Sequence, residues 1–258
     1  MGSNLKNKNV IYTSIFGDYN GLIPQPKIAG FDYVCFTDNP NLKATPWEVI
    51  TIDKLPVKGD FTRSNRYYKL LSHLFFEAYD LSIYIDGNLL IIGDLNQMIQ
   101  TYLGDKKMAV FSHKYTIPDG RNCIYDEYNG ILELHKSGSF RDDEEVMFKQ
   151  IEFFKSENYP KNNGLIKGGC LVRKHNDPEV IQLMEDWWYF VANWSCRDQL
   201  SFNYVAWKNG FQYSTISGDI RRGNPYIYWL GKHKKKWNIK LRKFYLKKYL
   251  GITKLPKA

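Results

Sequence analysis

The sequence predicts an α/β fold in which helices cover one central β-sheet. Short runs of β-branched and aromatic residues, each closed by turn-forming residues, recur early in the chain and indicate strands. Segments with apolar residues at helical spacing separate later strands. The continuous apolar run from Leu81 to Ile85 directly follows one such segment, as is typical of a buried central strand. A length of 258 residues suits one large domain of this class.

The first half of the chain supplies five expected strands and one helix. Thr62 can cap a helix that we expect to continue to about Tyr79. The expected strands are Val10 to Phe16, Phe31 to Phe36, Trp47 to Ile52, Leu81 to Ile85 and Met108 to Ser112.

The second half begins with a stretch of mixed polarity, His113 to Ser139, which shows no clear period. We therefore expect a long irregular loop there, of the kind that often carries function. Beyond it, Leu165 to Arg173 predicts a strand. The expected helices are Asp142 to Ser156, a segment that starts at Asp177-Pro178-Glu179 and ends near Trp194, and Asp198 to Lys208.

The net charge of +9 is concentrated at the end of the chain. Residues 232–258 contain eleven Lys or Arg and no acid, which leaves 25 basic against 27 acidic residues in the remainder. The body is therefore slightly acidic, which argues against a nucleic-acid-binding platform. On this basis we divide the chain into a domain of residues 1–231 and a basic tail of residues 232–258.

The tail segment Lys236 to Leu250 places aromatic and aliphatic residues among lysines and arginines at helical spacing. This pattern predicts a basic amphipathic helix, which favours an anionic bilayer surface. The alternative is a terminal helix docked on its own domain with a solvated basic face. No apolar run is long enough to span a bilayer and the N-terminus lacks a signal-peptide core, so we expect a cytoplasmic protein at the inner membrane surface. The expected free thiols are Cys35, Cys123, Cys170 and Cys196.

The motif Asp86-Gly87-Asn88 directly follows the expected central strand. An acid at the carboxyl end of such a strand points into the crevice where open α/β sheets bind ligands. With a second oxygen ligand two residues later, it can share a hard cation that bridges diphosphate oxygens. The alternative is an ordinary turn, because Asp, Gly and Asn are common turn residues.

The order of several segments resembles that of metal-dependent GT-A glycosyltransferases. In these enzymes a basic helix precedes the strand that ends in an Asp-x-Asp motif, as Thr62 to Leu71 precedes Asp86 here. The segment Lys167 to Val172 is similar to the glycine-containing strand that lines the sugar pocket of the family 8 retaining enzymes. Arg197 to Asn203 is similar to the Asp-Gln-x-x-x-Asn helix start of the same enzymes.

A closer resemblance, over roughly residues 10 to 235, is to the TOD1/MUCI70 glycosyltransferase-like domain family. The matching residues are Gly17 to Tyr19, Thr37 with Asp38, Lys69, and a loop with His113, Arg121 and Glu127. The chain departs from the usual metal motif at Asn88, where a neutral amide replaces the second acid. The family 8 enzymes also supply a late His ligand just before a Gly, whereas His233 follows Gly231 here.

The resemblance implies a Rossmann-like nucleotide half with a mixed sheet and a role for each matching residue. Asp86, Asn88 and the candidate His233 would bind the metal. Thr13, Ser14 and Asp38 would contact the nucleotide, and Gly168 and Gly169 would line the sugar pocket. The basic residues Arg63, Arg66 and Lys69 recur three apart on one helix and would neutralise the diphosphate. Asp198, Gln199 and Glu127 are the catalytic candidates, and His113 with Arg121 would contact the sugar or acceptor.

Structural alternatives stay open for several of these residues. Thr13 and Ser14 can be strand-end caps, Asp198 can be a helix N-cap, and the basic residues of the helix can form a solvated face. Both Glu127 and Asp198 are possible bases.

The resemblance implies transfer of a hexose from a UDP-sugar, with Mn²⁺ or Mg²⁺ as cofactor. The acceptor would be a hydroxyl of a glycan or glycolipid in bacterial surface polysaccharide synthesis, with retention at the anomeric carbon. The rival interpretation is a non-catalytic carbohydrate-binding or scaffold protein on a degenerate GT-A fold, which Asn88 favours. A nucleic-acid binder is disfavoured by the acidic body.

Overall fold

The computed structural model describes residues 8–232 and 236–252. Within these ranges, a seven-stranded sheet has the order β3-β2-β1-β4-β7-β6-β8, and β5 pairs separately with β9. The strands are β1 (Asn9–Ile15), β2 (Phe31–Thr37), β3 (Glu48–Thr51), β4 (Leu81–Ile85), β5 (Leu89–Ile91), β6 (Met108–Ser112), β7 (Ile166–Arg173), β8 (Ser214–Ile216) and β9 (Ile227–Trp229). The helices are α1 (Phe61–Leu70), α2 (Leu95–Tyr102), α3 (Ile124–Lys136), α4 (Glu144–Ser156), α5 (Pro178–Asn193), α6 (Phe202–Lys208) and α7 (Asn238–Tyr249).

The large sheet is mixed. Strands β1 to β4 run parallel, β7 is antiparallel to both β4 and β6, and β8 is parallel to β6. Alternate residues of β1 enter different apolar cores, since Val10 belongs to the core that includes α5 and Ile11 to the core that includes α2. The predicted mixed α/β architecture, one central sheet with helices against both of its faces, is confirmed. The strand expectations at Leu81 to Ile85 and Met108 to Ser112 are correct to the residue.

The expected helix from Thr62 to Tyr79 is wrong at both ends. Asp60, not Thr62, caps α1 by accepting the Arg63 amide at 2.8 Å. The helix ends at Leu70 because the buried Arg173 guanidinium donates to the carbonyls of Lys69, at 2.9 Å, and Leu70, at 3.1 Å. These carbonyls lack partners in a further helical turn, so the arginine satisfies the orphan acceptors of the helix end.

The expected loop from His113 to Ser139 contains the helix α3, so this prediction is wrong. The inward face of α3 carries Ile124, Glu127 and Ile131. Glu127 occupies a position where an apolar residue would complete the helical period, so the sequence does not show the apolar pattern typical of a helix. The charge distribution does suit a helix, with acids in the first turn and basic residues in the last.

The strand β7 contains a pronounced bulge opposite β6. Val110 pairs with Leu171, whereas the next residue, Phe111, pairs with Lys167. Three residues of β7, Gly168 to Cys170, are thus unmatched on the β6 side. A bulge of this kind re-aims the strand locally, and it places the two glycines beside the motif that follows β4.

The described part of the tail packs against the body. Trp237, Leu241 and Phe244 form a small core with Ile23 and Leu90. The indole Nε1 of Trp237 also donates to the Gly21 carbonyl at 2.7 Å. One face of α7 is therefore docked on the domain, as the alternative interpretation of the tail expects.

The outer face of α7 remains apolar in part. Ile239, Leu246 and Tyr249 are 72%, 58% and 88% exposed. No helix in the described ranges has the length and apolar content needed to cross a bilayer. The four cysteines are free thiols, and all but Cys196 are buried, as expected.

Candidate active site

The polar residues of the candidate site lie where parallel strands end. Asp38 follows β2 and Asp86 follows β4, and these strands flank β1 on either side. Asp38 accepts the backbone amide of Gly17, just after β1, at 3.1 Å with each carboxylate oxygen. The carboxyl ends of parallel strands are the usual ligand-binding edge of an open α/β sheet.

The centre of this site is the buried carboxylate of Asp198. Its Oδ2 lies 2.5 Å from the Lys69 ammonium and 3.2 Å from Arg66 Nε. Burial alone raises the pKa of Asp198, but Arg66 and Lys69 reverse this effect and hold the pKa below its ordinary value. Asp198 is therefore a fixed anion at neutral pH. It can stabilise positive charge, but it is a weak proton acceptor.

The backbone around Asp198 is fixed from two sides. Trp187 Nε1 donates to the Asp198 carbonyl at 2.9 Å, and the Gln199 side chain donates to the Ile166 carbonyl at 2.8 Å. The backbone amide of Gln199 also donates to Asp198 Oδ1 at 3.0 Å. The segment after α5 is thereby attached to both α5 and the start of β7, so the expected neighbours Asp198 and Gln199 lie beside the glycines of the bulge.

Gly168 and Gly169 allow the acidic groups to approach β7. A Cβ at position 168 would lie 3.2 Å from Lys69 Nζ and 3.3 Å from Asp198 Oδ2. A Cβ at position 169 would lie 3.1 Å from Asp86 Oδ2. Each distance is a tight contact for a real side chain, so each glycine leaves room for one acid. The structure thus places both glycines, which the resemblance assigns to the sugar pocket, beside these acids.

Tyr84 connects the two acids. Its hydroxyl donates to Asp86 Oδ1 at 3.0 Å, and the Lys69 ammonium lies 5.0 Å from the centre of its ring. Burial, followed by the nearby Asp86 charge, raises the pKa of Tyr84 well above its ordinary value. The tyrosine therefore stays a neutral donor. No sequence pattern indicates this role, because Tyr84 lies within an apolar run that is typical of a central strand.

The metal motif provides two oxygen-bearing side chains, Asp86 and Asn88. Asn88 Nδ2 donates to the Gly231 carbonyl at 3.2 Å, and the backbone carbonyl of Asn88 accepts the Leu230 amide at 3.1 Å. Across residues 8–232 and 236–252, no group of three His, Cys, Asp or Glu side chains is arranged to hold a metal. The candidate third ligand, His233, lies outside the described residues. Asn88 does, however, form a hydrogen bond to the backbone of Gly231, two positions before His233.

A donor set of one carboxylate and one amide fits Mg²⁺ or Mn²⁺ only in an open site. Magnesium in proteins commonly uses one or two carboxylates, with water and substrate phosphates completing its shell. Asp86 is half-buried, which leaves part of its side chain accessible to solvent. The residues present therefore fit a cation that arrives with a diphosphate better than a closed structural site.

A second polar cluster surrounds the buried carboxylate of Glu127. Arg121 Nη1 lies 2.7 Å from Glu127 Oε2, and His113 Nε2 lies 3.7 Å from the same oxygen. The Arg121 guanidinium fits against α3 because Gly130 has no side chain, since a Cβ there would lie 2.6 Å from it. The three residues expected to act together are thus brought into one cluster.

His113 is neutral in this cluster. Its Nδ1 accepts the Arg121 amide at 3.2 Å, which places the proton on Nε2, facing Glu127. Burial, followed by repulsion from Lys167, lowers the pKa of His113 to about 4. It can donate one hydrogen bond at neutral pH without adding charge.

Lys167 and Arg197 join the two clusters. Lys167 precedes Gly168 in β7, and Arg197 precedes Asp198. Arg197 Nη2 lies 4.0 Å from Glu127 Oε1, and burial lowers the pKa of Lys167 to about 8. Both residues occur in the segments that resemble family 8 enzymes, but the resemblance assigns no role to either of them. Their adjacency to Gly168 and Asp198 is the signal that could have identified them.

Three residues expected to contact the nucleotide sugar, Thr13, Ser14 and Arg63, occupy structural positions instead. Thr13 and Ser14 are buried inside β1, which continues to Ile15, so they do not lie at the strand end as expected. Ser14 Oγ donates to the Asn65 carbonyl at 3.1 Å.

The Arg63 guanidinium is directed towards α5. It binds Asp60 at 2.8 Å and donates to the carbonyls of Val191 and Trp194 at 3.0 and 2.7 Å. The spacing of three therefore unites Arg66 and Lys69 at Asp198 but leaves Arg63 in a structural contact.

Comparison with known proteins identifies the family pattern in this chain. The family model described as TOD1/MUCI70, glycosyltransferase-like domain, matches residues 37–216. This range includes every charged residue of the two clusters.

One curated relative and two solved structures illustrate the similarity. Probable hexosyltransferase MUCI70 of Arabidopsis thaliana is 24% identical over 174 residues, which make up 64% of this chain and 28% of that protein. The chain thus spans just over a quarter of that relative's length. The apo structure of the bifunctional glycosyltransferase WbbM has a TM-score of 0.46 at 14% identity, covering 84% of this chain and 40% of that one. Apo GlyE of Streptococcus pneumoniae TIGR4 has a TM-score of 0.46 at 11% identity, covering 98% and 65%.

Proposed function

The chain belongs to the TOD1/MUCI70 glycosyltransferase-like domain family, and on that premise we propose that it transfers a hexose from a nucleotide diphosphate sugar to a hydroxyl of a glycan acceptor. The observation that carries the proposal is the arrangement of Asp86 and Asp198 on either side of the Gly168–Gly169 bulge. One acid faces the expected position of the diphosphate, and the other is a fixed anion beside the expected position of the sugar.

The donor is proposed to be a UDP-sugar. Asp38 and the loop after β1 would receive the nucleoside at the open ends of β1 and β2. Arg66, with 19% of its side chain exposed, would supply positive charge to the leaving diphosphate. Lys69, which is only 2% exposed, holds Asp198 in place.

Asp86 and Asn88 would hold a divalent cation, with His233 as a candidate third ligand. When bound, the cation would neutralise diphosphate oxygens and so stabilise the leaving group. The protein prepares this position through Tyr84, which orients the Asp86 carboxylate at 3.0 Å. The Asn88 hydrogen bond to the Gly231 carbonyl orients the amide in the same way.

Retention at the anomeric carbon is supported by the charge state of Asp198. An inverting transferase needs a carboxylate that accepts the proton of the acceptor hydroxyl. Arg66 and Lys69 make Asp198 a poor acceptor of protons, and Arg121 neutralises Glu127. Asp198 is therefore better suited to stabilising positive charge, and the paired Glu127 to binding a hydroxyl group.

The tail is proposed to bring the enzyme to an anionic membrane surface, where a lipid-linked acceptor of surface-glycan assembly would be found. The exposed apolar residues Ile239, Leu246 and Tyr249 lie on a helix that has basic residues and no acid. The variant Leu246→Ser/Tyr249→Ser should bind phosphatidylglycerol vesicles several-fold more weakly than the parent protein. Unchanged sedimentation with these vesicles would exclude this role for α7.

The transferase proposal is tested by assaying release of nucleoside diphosphate from a panel of nucleotide sugars, with and without oligosaccharide acceptors. We expect one donor to be turned over by the parent protein. Asp198→Asn should lose this turnover, and the exposed control Asp105→Asn should keep it. The anomeric configuration of the product, read by NMR, decides between retention and inversion. Nucleotide binding without turnover of any donor would instead support the rival non-catalytic carbohydrate-binding protein, which Asn88 favours.

A further inference from the structure

A cavity of about 510 Å³ lies between β9 and α7, apart from the two clusters of the active site. Its size falls within the range of ordinary ligand pockets, about 300–1,000 Å³. Tyr228, Trp229 and Phe244 provide aromatic walls. The charged lining residues are Arg222, Lys232, Lys240, Lys243 and Lys247.

The five cations of this pocket lack acidic partners. No acid lines the cavity, and none of the ion pairs found in residues 8–232 and 236–252 includes any of the five. The described tail residues, 236–252, contain no Asp or Glu that could approach from α7. Like charges that converge on one concave surface repel one another, so the arrangement favours an anionic ligand.

Part of the pocket is held rigidly by the fold. The Lys240 ammonium donates to the Leu230 carbonyl at 2.8 Å. It occupies space above Gly231, where a Cβ would lie only 2.2 Å from Nζ. The lining residue Trp229 is itself held from outside the lining, because the Arg221 guanidinium lies 5.5 Å from the centre of its ring. The cavity therefore receives cations from α7 and from the segments on both sides of β9, rather than from the face of one helix alone.

The pocket is connected directly to the metal motif. Strand β9 pairs with β5, and β5 begins one residue after Asn88. Asn88 binds the backbone at both Leu230 and Gly231, which line the pocket. A molecule held in the pocket thus lies one strand away from the position proposed for the donor.

We propose that the pocket between β9 and α7 binds a phosphate or diphosphate group carried by the acceptor. Arginine and lysine are the side chains that recognise phosphoryl oxygens, by forked hydrogen bonds and by point charge respectively. The inference rests on the proposed transferase function and specifies its acceptor as a phosphorylated or diphosphate-linked glycan. The donor diphosphate occupies the separate site at Asp86.

The test compares two variants that lose the same charge. The pocket variant is Arg222→Gln/Lys243→Gln/Lys247→Gln. The matched control is Lys236→Gln/Arg242→Gln/Lys248→Gln, whose residues are outside the cavity. Inorganic pyrophosphate is titrated calorimetrically into each protein in the presence of saturating UDP. We expect binding to the parent and the control, and at least tenfold weaker binding to the pocket variant.

Three results would overturn the proposal: equal pyrophosphate affinity in all three proteins, equal weakening in both variants, or no binding to the parent. Equal weakening would indicate general charge attraction, as at a lipid surface. Binding to phosphatidylglycerol vesicles tests for this general attraction. If net charge alone determines vesicle binding, both variants should lose it to the same extent.

UDP affinity separates this proposal from the proposed function. It should be the same in the parent and both variants. If UDP fails to bind to any of them, the donor assignment is wrong, while the difference between pocket variant and control still decides the anion pocket. Thermal unfolding of each protein checks that the six substituted positions, all of which are exposed, tolerate the changes.

Discussion

The Lys69 ammonium and the Asp198 carboxylate form a buried ion pair at 2.5 Å, although the two residues are 129 positions apart in the sequence. The pair joins α1 to the short segment after α5, and Gly168 is the residue of β7 that leaves space for it. Replacing one partner leaves an uncompensated charge in a buried site and lowers the free energy of unfolding strongly. Replacing both partners lowers it less.

Lys69→Met should destabilise the protein by about 3 kcal/mol, because it leaves Asp198 with Arg66 as its remaining close cation. Urea unfolding measures the change. The cycle with Asp198→Asn is the control for side-chain packing. If the double variant loses the sum of the two single losses to within about 0.5 kcal/mol, the pair is not coupled.

The adjacent variants Gly168→Ala and Gly169→Ala should affect different steps. The new methyl group at 168 would displace Lys69 and Asp198, and should lower the turnover of the donor about tenfold or more with little change in UDP affinity. The methyl group at 169 would meet Asp86 Oδ2 and Ile220, and should weaken metal-dependent UDP binding. Titration calorimetry and donor turnover separate the two effects. Identical profiles for both variants would contradict the separation of roles.

Stability should fall in mild acid because of His113. Its pKa is lowered to about 4 by burial and then by Lys167, with Arg121 adding to the effect and Glu127 opposing it. The folded chain therefore binds this proton more weakly than the unfolded chain. Its stabilising contribution is complete above about pH 6.5 and decreases as the pH falls towards 4.

The variant His113→Asn isolates this contribution. The asparagine carbonyl can accept the Arg121 amide, as Nδ1 does. The free energy of unfolding, measured at pH 7.5 and pH 4.5, should decrease less in the variant than in the parent. An equal decrease in both proteins would show that His113 does not contribute to the pH dependence.

Arg173→Met should destabilise the fold by about 2 kcal/mol or more, because the carbonyls of Lys69 and Leu70 lose a donor in a buried place. The exposed neighbour Lys174→Met is the control and should change stability by less than about 0.5 kcal/mol. Chemical denaturation of both variants measures the difference. Equal stability of the two variants would exclude the arginine as the C-terminal cap of α1.

Sequence patterns predicted the elements whose burial is uniform. The strand Leu81 to Ile85 is apolar along its whole length, and Asp177-Pro178 is a strong helix start, so β4 and α5 were located closely. Prediction failed at α3, where the buried Glu127 interrupts the apolar period. It also failed at the end of α1, because the donor that ends this helix comes from β7.

In the candidate site, too, local patterns were informative and contacts between distant segments were not. The order of motifs identified Asp86, Asp198 and the two glycines, since each occurs in a recognisable local pattern. Arg63 looked equivalent to Arg66 and Lys69 by spacing, yet its guanidinium contacts α5. Tyr84, Lys167 and Arg197 depend on contacts between distant segments, which no local pattern reports.

The central claim is that the site at Asp86 binds a nucleotide sugar together with a divalent cation. Calorimetric titration of UDP with Mn²⁺, with Mg²⁺ and with chelator, into the parent, Asp86→Ala and the exposed control Asp105→Ala, tests it most directly. We predict metal-dependent UDP binding to the parent and control, weakened at least about tenfold in Asp86→Ala through loss of the charged ligand. UDP affinity that is unchanged by chelator and by Asp86→Ala would contradict the claim, as would failure of UDP, GDP, CDP and dTDP to bind the parent protein at all.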